Sequence, residues 1–276
     1  AEVLAMAAPK SAIKNVLQKC ADAGFTPALI SAEGTAFANC LERWYEPPPT
    51  LPSISPQLEE VGPPPADLQM ILHLGHTKSF LTVYENRVLI AIRTLAWGGR
   101  QIVEAVAQKY TLPFAEAQKE VEAKAFILTS KQQEIKNFDV RVFSDTISKV
   151  VKELAREIQL HLLEMRSEFN ARSLQLDLTG GVSNLQGLCP FLTQHLEVPV
   201  NRLELLDLFP NVYFDKTEQA HAKLGVAVGL AIEGIKKPRN PPSNFLKGEF
   251  APQNNFWKTF SNRWGYATQI VAAAYI

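Results

Sequence analysis

The sequence predicts an α/β protein with a sheet flanked by helices, and two observations carry that prediction. Strand-like runs at Leu68–Leu74, Phe80–Tyr84 and Val88–Ala96 precede a set of helical stretches, after which the pattern becomes strand–helix–strand. Two glycine-marked turns, far apart in the chain, each close a strand-like run. The first lies in Leu72-His73-Leu74-Gly75-His76-Thr77-Lys78-Ser79, the second in Leu176-Asp177-Leu178-Thr179-Gly180-Gly181-Val182-Ser183. Glycine there lets backbone approach a bound group closely, and a following helix N-terminus offers N–H groups to an anion.

The elements read as follows. Residues 2–8 are apolar enough for a strand. Ser11–Ala23 carries Ile13, Val16, Leu17 and Cys20 on one helical stripe, and Gly24 stops it. Phe25–Ser31 reads as a strand and Gly34–Trp44 as a helix. Eight prolines then fall at Pro47, Pro48, Pro49, Pro52, Pro56, Pro63, Pro64 and Pro65. Proline fixes φ and removes a donor, so this is an extended linker, with a ligand for a proline-reading domain as the alternative. After the three strands, Gly98-Gly99 opens a helix near Ile102–Tyr110, and Phe114–Ala125 is a second. Ser130 with Gln133 reads as a capping box. From Arg141 to Phe169 a long helix has Ile147, Val150, Val151, Leu154, Ile158, Leu162 and Met165 at helical spacing. Leu174–Thr179 is a strand, Leu185–Leu196 a helix, Val198–Leu205 a strand and Glu218–Ile235 a helix.

Charge is balanced overall, with 28 acidic and 28 basic residues, but not evenly spread. Lys236, Lys237, Arg239, Lys247, Lys258 and Arg263 face Glu249 alone in residues 236–263. A globally neutral chain with one basic tail argues against nucleic acid and for an anionic lipid surface. Cys20, Cys40 and Cys189 form no C-x-x-C pair and read as reduced thiols. The chain opens on Ala1 inside an apolar run, which reads as a start partway through a longer protein. G-x-x-x-x-G-K-[ST], H-E-x-x-H and G-x-S-x-G do not occur.

In the tail, Asn240-Pro241-Pro242-Ser243 breaks the body from Asn244-Phe245-Leu246-Lys247-Gly248-Glu249-Phe250-Ala251, a short extended element. Phe256, Trp257, Phe260, Trp264 and Tyr266 cluster next, and residues 265–276 are nearly apolar. Basic residues, then Trp and Tyr, then an apolar run is the order at a cytoplasmic membrane boundary. Twelve residues are fewer than the roughly 20 of a span, so this reads as the start of a transmembrane helix, with a buried core helix as the alternative.

These residues resemble a known family, the actin-like proteins of type IV pilus assembly and type II secretion (PilM/GspL type). The family's D-I-G-x-x-x-T turn and R-x-x-x-x-G-G motif resemble His73–Ser79 and Arg93–Gly99. Its adenosine-side motif resembles Leu178–Leu188, and its closing helix resembles Ala222–Ala231. Ala8-Pro9-Lys10 and Ala23-Gly24-Phe25-Thr26-Pro27 also fit, so the resemblance covers about residues 1–235. It implies an α/β, actin-like (ribonuclease-H-like) ATPase fold lacking its first strands, followed by a juxtamembrane tail. The implied division is 1–45 as the remainder of a first lobe, 46–67 as linker, 68–235 as a second lobe, 236–264 as a basic juxtamembrane segment and 265–276 as the start of a span.

By this resemblance, an ATP would be lined by Gly75, Thr77, Gly98, Gly99, Gly180 and Gly181. His73 stands where the family has an acid that organises metal-bound water, so hydrolysis is not expected, while nucleotide binding stays open. Taken alone, the glycine pairs are equally well read as tight turns. His73 and His76, three apart on a strand, point to opposite faces and read as satisfied structural histidines; Asp177 reads as a polar strand-end residue. The resemblance implies a cytoplasmic scaffold on the bacterial inner membrane, binding a motor ATPase and platform proteins, with a homodimer among the expected states. Asn244, Phe245 and Phe250 resemble the family's juxtamembrane peptide, here fused to the body, and Trp257 and Trp264 would sit at the headgroups. That fusion favours the secretion branch. The competing reading is a sugar-kinase-like or Hsp70-like ATPase.

Overall fold

The computed structural model describes residues 5–44, 66–129, 132, 137–169, 171–208, 217–235 and 243–251. The chain divides into two compact units. One comprises Ala1–Ala5 and Ala32–Pro242, the other Met6–Ser31 and Ser243–Ile276.

The larger unit is built on five strands: β1 (Ala66–Leu74), β2 (Ser79–Glu85), β3 (Val88–Leu95), β4 (Ala171–Thr179) and β5 (Val200–Arg202). Their order is β3-β2-β1-β4-β5. β1, β2 and β3 form an antiparallel meander, turned between β2 and β3 at Asn86 and Arg87, both with positive φ. β4 lies parallel to β1, and β5 parallel to β4. Parallel pairing needs a long crossover, which is supplied here by α3 (Gly99–Tyr110), α4 (Phe114–Lys124) and α5 (Phe138–Glu168).

Alternation along the strands gives the sheet two apolar faces. Leu68, Met70, Leu72 and Leu74 of β1 join Leu81, Val83, Leu174, Leu176 and Leu178 in one core, against Ile102, Val103 and Val106 of α3 and Ile147, Val151, Leu154 and Ile158 of α5. The stripe anticipated on the long helix is therefore its buried face. The helix begins three residues earlier than its periodicity suggested, at Phe138. Trp97 closes this side by donating its indole N–H to the Val150 carbonyl at 3.2 Å. On the other face Ile71, Phe80 and Tyr84 pack with Phe37 and Leu41 of α2 (Ala36–Trp44). α7 (Thr217–Ile235) crosses α2 so closely that a Cβ on Gly229 would stand 2.0 Å from the Ala36 carbonyl oxygen.

Four sequence expectations need correction. The helix expected over Leu185–Leu196 starts only at Leu188 (α6, Leu188–Leu196), because Gly187 takes a left-handed conformation (φ 82°) just before it; a separate 3-10 turn at Gly181–Asn184 precedes it. β5 covers only Val200–Arg202; Pro199 before it has no N–H to donate and contributes only its carbonyl, to Leu176 N–H. Phe25–Ser31, expected as a strand, is irregular, and it belongs to the smaller unit. That unit holds α1 (Lys10–Asp22), with Ile13 buried, and the segment 243–251, which ends in a 3-10 turn at Gly248–Phe250. Residues 5–9 are also irregular. The Ser130/Gln133 capping box, the proline run and the tail aromatics Trp257 and Trp264 lie outside the described residues. Among the described residues, no helix is long and apolar enough to cross a membrane.

The α2–α7 crossing gives a direct test. Replacing Gly229→Ala improves helix propensity by about 1 kcal/mol but forces a methyl onto backbone, and overpacking of this kind costs about 1–3 kcal/mol. The expected result is a lower urea midpoint with an unchanged m-value. A midpoint at or above that of the unsubstituted protein would contradict the crossing.

Candidate functional site

Register brings the two glycine turns together. β1 and β4 pair Leu72 with Leu178 and His73 with Thr179, so both strands end at the same edge of the sheet. Gly180 then passes across β1. Its φ is 90°, and a Cβ there would lie 2.3 Å from the Leu74 carbonyl oxygen. Its own N–H donates to the Ala222 carbonyl of α7 at 2.9 Å. Beside it, the first turn of α3 folds back on the first glycine turn. Gly99 N–H donates to Gly75 O at 3.0 Å, and Arg100 N–H to His76 O at 2.8 Å.

A cavity of about 470 Å³ opens at this edge. Gly75, Gly99 and Gly181 lie on it; Thr77, Gly98 and Gly180 stand outside its lining. Thr77 is exposed, and a Cβ on Gly98 would meet the His76 carbonyl oxygen at 2.4 Å. Apolar walls come from Ile102, Val103, Val121, Val182 and Leu185. The polar contributors are His76, Gln118, Glu122, Asn184, Gln219 and Lys223. Val182, Asn184 and Leu185 fall in the Leu178–Leu188 motif and Lys223 in Ala222–Ala231, whereas Gln118, Val121, Glu122 and Gln219 carry no sequence motif. The lining comes from α3, α4, the 3-10 turn with the residue after it, and α7, and only the tertiary fold brings these elements to the glycines.

His73 faces away from the cavity, toward α2. Its ring stacks on Phe80 at 4.8 Å between centroids and lies 6.1 Å from Phe37. Burial holds the imidazole below its ordinary pKa; Glu33 opposes that shift and Lys78 adds to it. The expectation of a satisfied histidine is corrected here, because Nδ1 is buried without a hydrogen-bond partner. The neighbouring Thr179 hydroxyl on β4 is buried and unpartnered as well. His76 is exposed. Asp177 is a buried member of a polar group inside the sheet, accepting from Gln69 Nε2 at 2.9 Å and Gln175 Nε2 at 3.1 Å. Among the described residues no three His, Cys, Asp or Glu side chains form a metal-binding group.

The smaller unit holds the second set of candidates. Asn244 Oδ1 accepts from Ile30 N–H at 3.4 Å and from Leu246 N–H at 2.9 Å, while Phe245 N–H donates to the Ile30 carbonyl at 2.8 Å. The asparagine amide thus joins the 243–251 segment to the irregular 25–31 segment where one backbone pairing alone would be frail. Leu246 is the buried side chain of the segment, at 6% exposure, whereas Phe245 and Phe250 are half-buried. The resemblance had singled out Asn244 and the two aromatics and passed over the leucine between them. Glu249 reaches Lys10 of α1 at 2.8 Å; hydrogen bonding and charge raise the lysine's pKa and lower the glutamate's. Both are in full contact with solvent, so salt screens this pair.

A family model described as "Type IV pilus assembly protein PilM" matches residues 1–235. No curated protein matches the chain. Among solved structures, a "PilM-PilN type IV pilus biogenesis complex" superposes with TM-score 0.61 and 20% identity, covering 82% of this chain and 59% of that one. MreB5 of Spiroplasma citri bound to AMPPNP superposes with TM-score 0.49 and 12% identity over 83% of this chain and 65% of that one. The ethanolamine utilization protein EutJ from Carboxydothermus hydrogenoformans gives TM-score 0.38 and 17% identity over 58% and 49%. The fold is actin-like, and the chain spans about three fifths of the length of the PilM structure it matches.

The Asn244 clamp can be broken singly. Asn244→Ala removes the acceptor of two amides, worth about 1 kcal/mol net for each typical hydrogen bond. Hydrogen exchange should speed up at Ile30, Phe245 and Leu246, with the amides of β1 unchanged. Amides at 244–246 already exchanging like a free coil before substitution would contradict the docking.

Proposed function

The chain belongs to the type IV pilus assembly PilM family, and we propose that it serves a pilus or secretion platform of the bacterial inner membrane as a scaffold that binds and does not hydrolyse. The observation that carries this reading is the asparagine-clamped 243–251 segment held by residues 25–31 and α1. A unit that grips an asparagine-led peptide is a docking device, and here the peptide leads directly into the basic, aromatic residues before position 276.

On this reading the partners are an inner-membrane platform protein and, on the cytoplasmic side, a motor ATPase. The solved complex pairs a PilM with a PilN, which supports a membrane-anchored partner for this chain too. The family match favours the pilus branch over the secretion branch. The preference for secretion rests on the fused tail, and the tail lies beyond the matched residues. Lys236, Lys237, Arg239, Lys258 and Arg263 would add about 1 kcal/mol each near anionic lipid, and Trp257 and Trp264 would lie at the headgroups. The non-hydrolysing part of the proposal is supported by His73, which presents its ring to Phe80 rather than to the cavity where an acid would be needed.

The test pairs a cellular readout with an enzymatic one. Cells lacking the protein should lose surface pili or secretion, and the purified chain should turn over Mg-ATP no faster than background. Turnover that disappears on Gly180→Asp would overturn the scaffold reading in favour of an ATPase.

A further inference from the structure

The second turn of α7 carries two adjacent residues that each tie the helix to a strand end. Ala222 lends its carbonyl to Gly180 N–H at 2.9 Å, which holds the turn after β4. His221 receives Leu206 N–H on Nδ1 at 2.9 Å, which holds the 3-10 turn at Leu205–Leu208 that follows β5. Leu205, Leu206, His221 and Ala222 are all buried.

This geometry fixes the state of the imidazole. A ring nitrogen that accepts an amide N–H is unprotonated, so His221 is neutral with its hydrogen on Nε2. An imidazolium carries a hydrogen on both nitrogens, and Nδ1–H would then face Leu206 N–H, donor against donor. The bond does not survive that change, and a buried amide that loses its acceptor must move or find water. A cavity of about 90 Å³ beside the ring, lined also by Ser183, Arg202 and Glu204, has the room and the polar groups that a water needs. The charges that face the ring from other elements are Arg202 of β5 and Glu204 just after it, opposite in sign; Lys223 follows two residues later on α7 itself.

A second histidine acts in the same direction on the same helix. Gly225 of α7 packs where β4 and α2 meet: a Cβ there would lie 3.2 Å from Thr179 Oγ1 and 3.0 Å from the Phe37 ring. His73 pairs with Thr179 across β1 and β4. Burial holds its pKa below the ordinary value, with Glu33 opposing and Lys78 adding to the shift, and those two are paired with each other at 3.1 Å. A histidine with a lowered folded-state pKa binds its proton more readily when unfolded. Stability is therefore unaffected above the ordinary value of about 6.5 and falls as pH drops below it.

We infer that His221 is a proton-sensitive clasp of α7: neutral, it holds the helix to the end of β5 and so keeps the Ala222 carbonyl on the Gly180 turn; protonated, it releases both. It is a positioning residue, and what it positions is the first half of α7, which also carries Gln219 and Lys223 of the larger cavity.

Hydrogen exchange of the purified chain at about pH 7.5 and about pH 5.5, each corrected for the intrinsic rate, reads the clasp directly. The amides of Leu206 and Gly180 should exchange about tenfold or more faster at the lower pH, while those of β2 and β3 keep their protection. His221→Asn puts an amide oxygen where Nδ1 stands, an acceptor that does not titrate, and should abolish the acceleration. His73→Phe should leave it in place. NMR of the imidazole nitrogens needs no variant: at the higher pH, Nδ1 should be the unprotonated one. A proton on Nδ1 at that pH would overturn the inference. So would equal protection of Leu206 at both pH values, an acceleration that persists in a natively folded His221→Asn protein, or one that His73→Phe removes, which would move the sensor to β1.

Discussion

The parallel pairing of β1 with β4 is the constraint on which the rest of the larger unit depends. It is a non-local contact, because β2, β3, α3, α4 and α5 intervene before the chain returns. Its register decides which residues share a face. With His73 opposite Thr179, the leucines of both strands fall on the α3–α5 side, and His73 and Thr179 fall together on the side of α2 and α7. A slip of one residue would exchange those faces and drive the imidazole into the leucine core. The crossing of Gly180 over Leu74 locks the register at the strand ends, since any side chain at 180 would collide with β1 backbone.

The same crossing explains why glycines cluster at that edge without each serving a ligand. Gly180 admits β1 backbone, Gly98 admits the His76 carbonyl, and Gly229 admits Ala36 where α7 passes α2. These are positions where main chain meets main chain. Gly181 is the exception, next to one of them in sequence and unlike all of them in surroundings. The smaller unit solves a separate problem with separate means. Among its described residues, the Asn244 amide, one backbone hydrogen bond and the exposed Lys10–Glu249 pair join the 243–251 segment to residues 10–31, with Leu246 buried.

What the sequence made legible was governed by local pattern. Strand-like runs located β1, β2 and β3 closely, and 3.6-residue periodicity found the buried stripe of α5, because both signals lie in neighbouring residues. The motif order pointed to the actin-like fold and to the family. The failures came where tertiary contact overrides pattern. Phe25–Ser31 has strand composition, but its backbone partner is a short distant segment that supplies only an isolated pairing at Ile30. His73 looked like a residue that would find a partner, and instead an aromatic ring covers it. Gly75 and Gly181 read alike as ligand glycines, yet only their three-dimensional neighbours separate them. Gln118, Glu122 and Gln219 of the cavity lining carry no motif, since they come from elements that meet the glycine turns only after folding.

The central claim is that this chain acts through what it binds. The most direct measurement is quantitative cross-linking mass spectrometry on native membranes, with and without enzymatic depletion of nucleotides. The account predicts cross-links from this chain to an inner-membrane platform protein, equally abundant in both conditions. Cross-links that vanish when ATP is removed and return with hydrolysable but not non-hydrolysable nucleotide would contradict it, and would make the chain a nucleotide-driven machine.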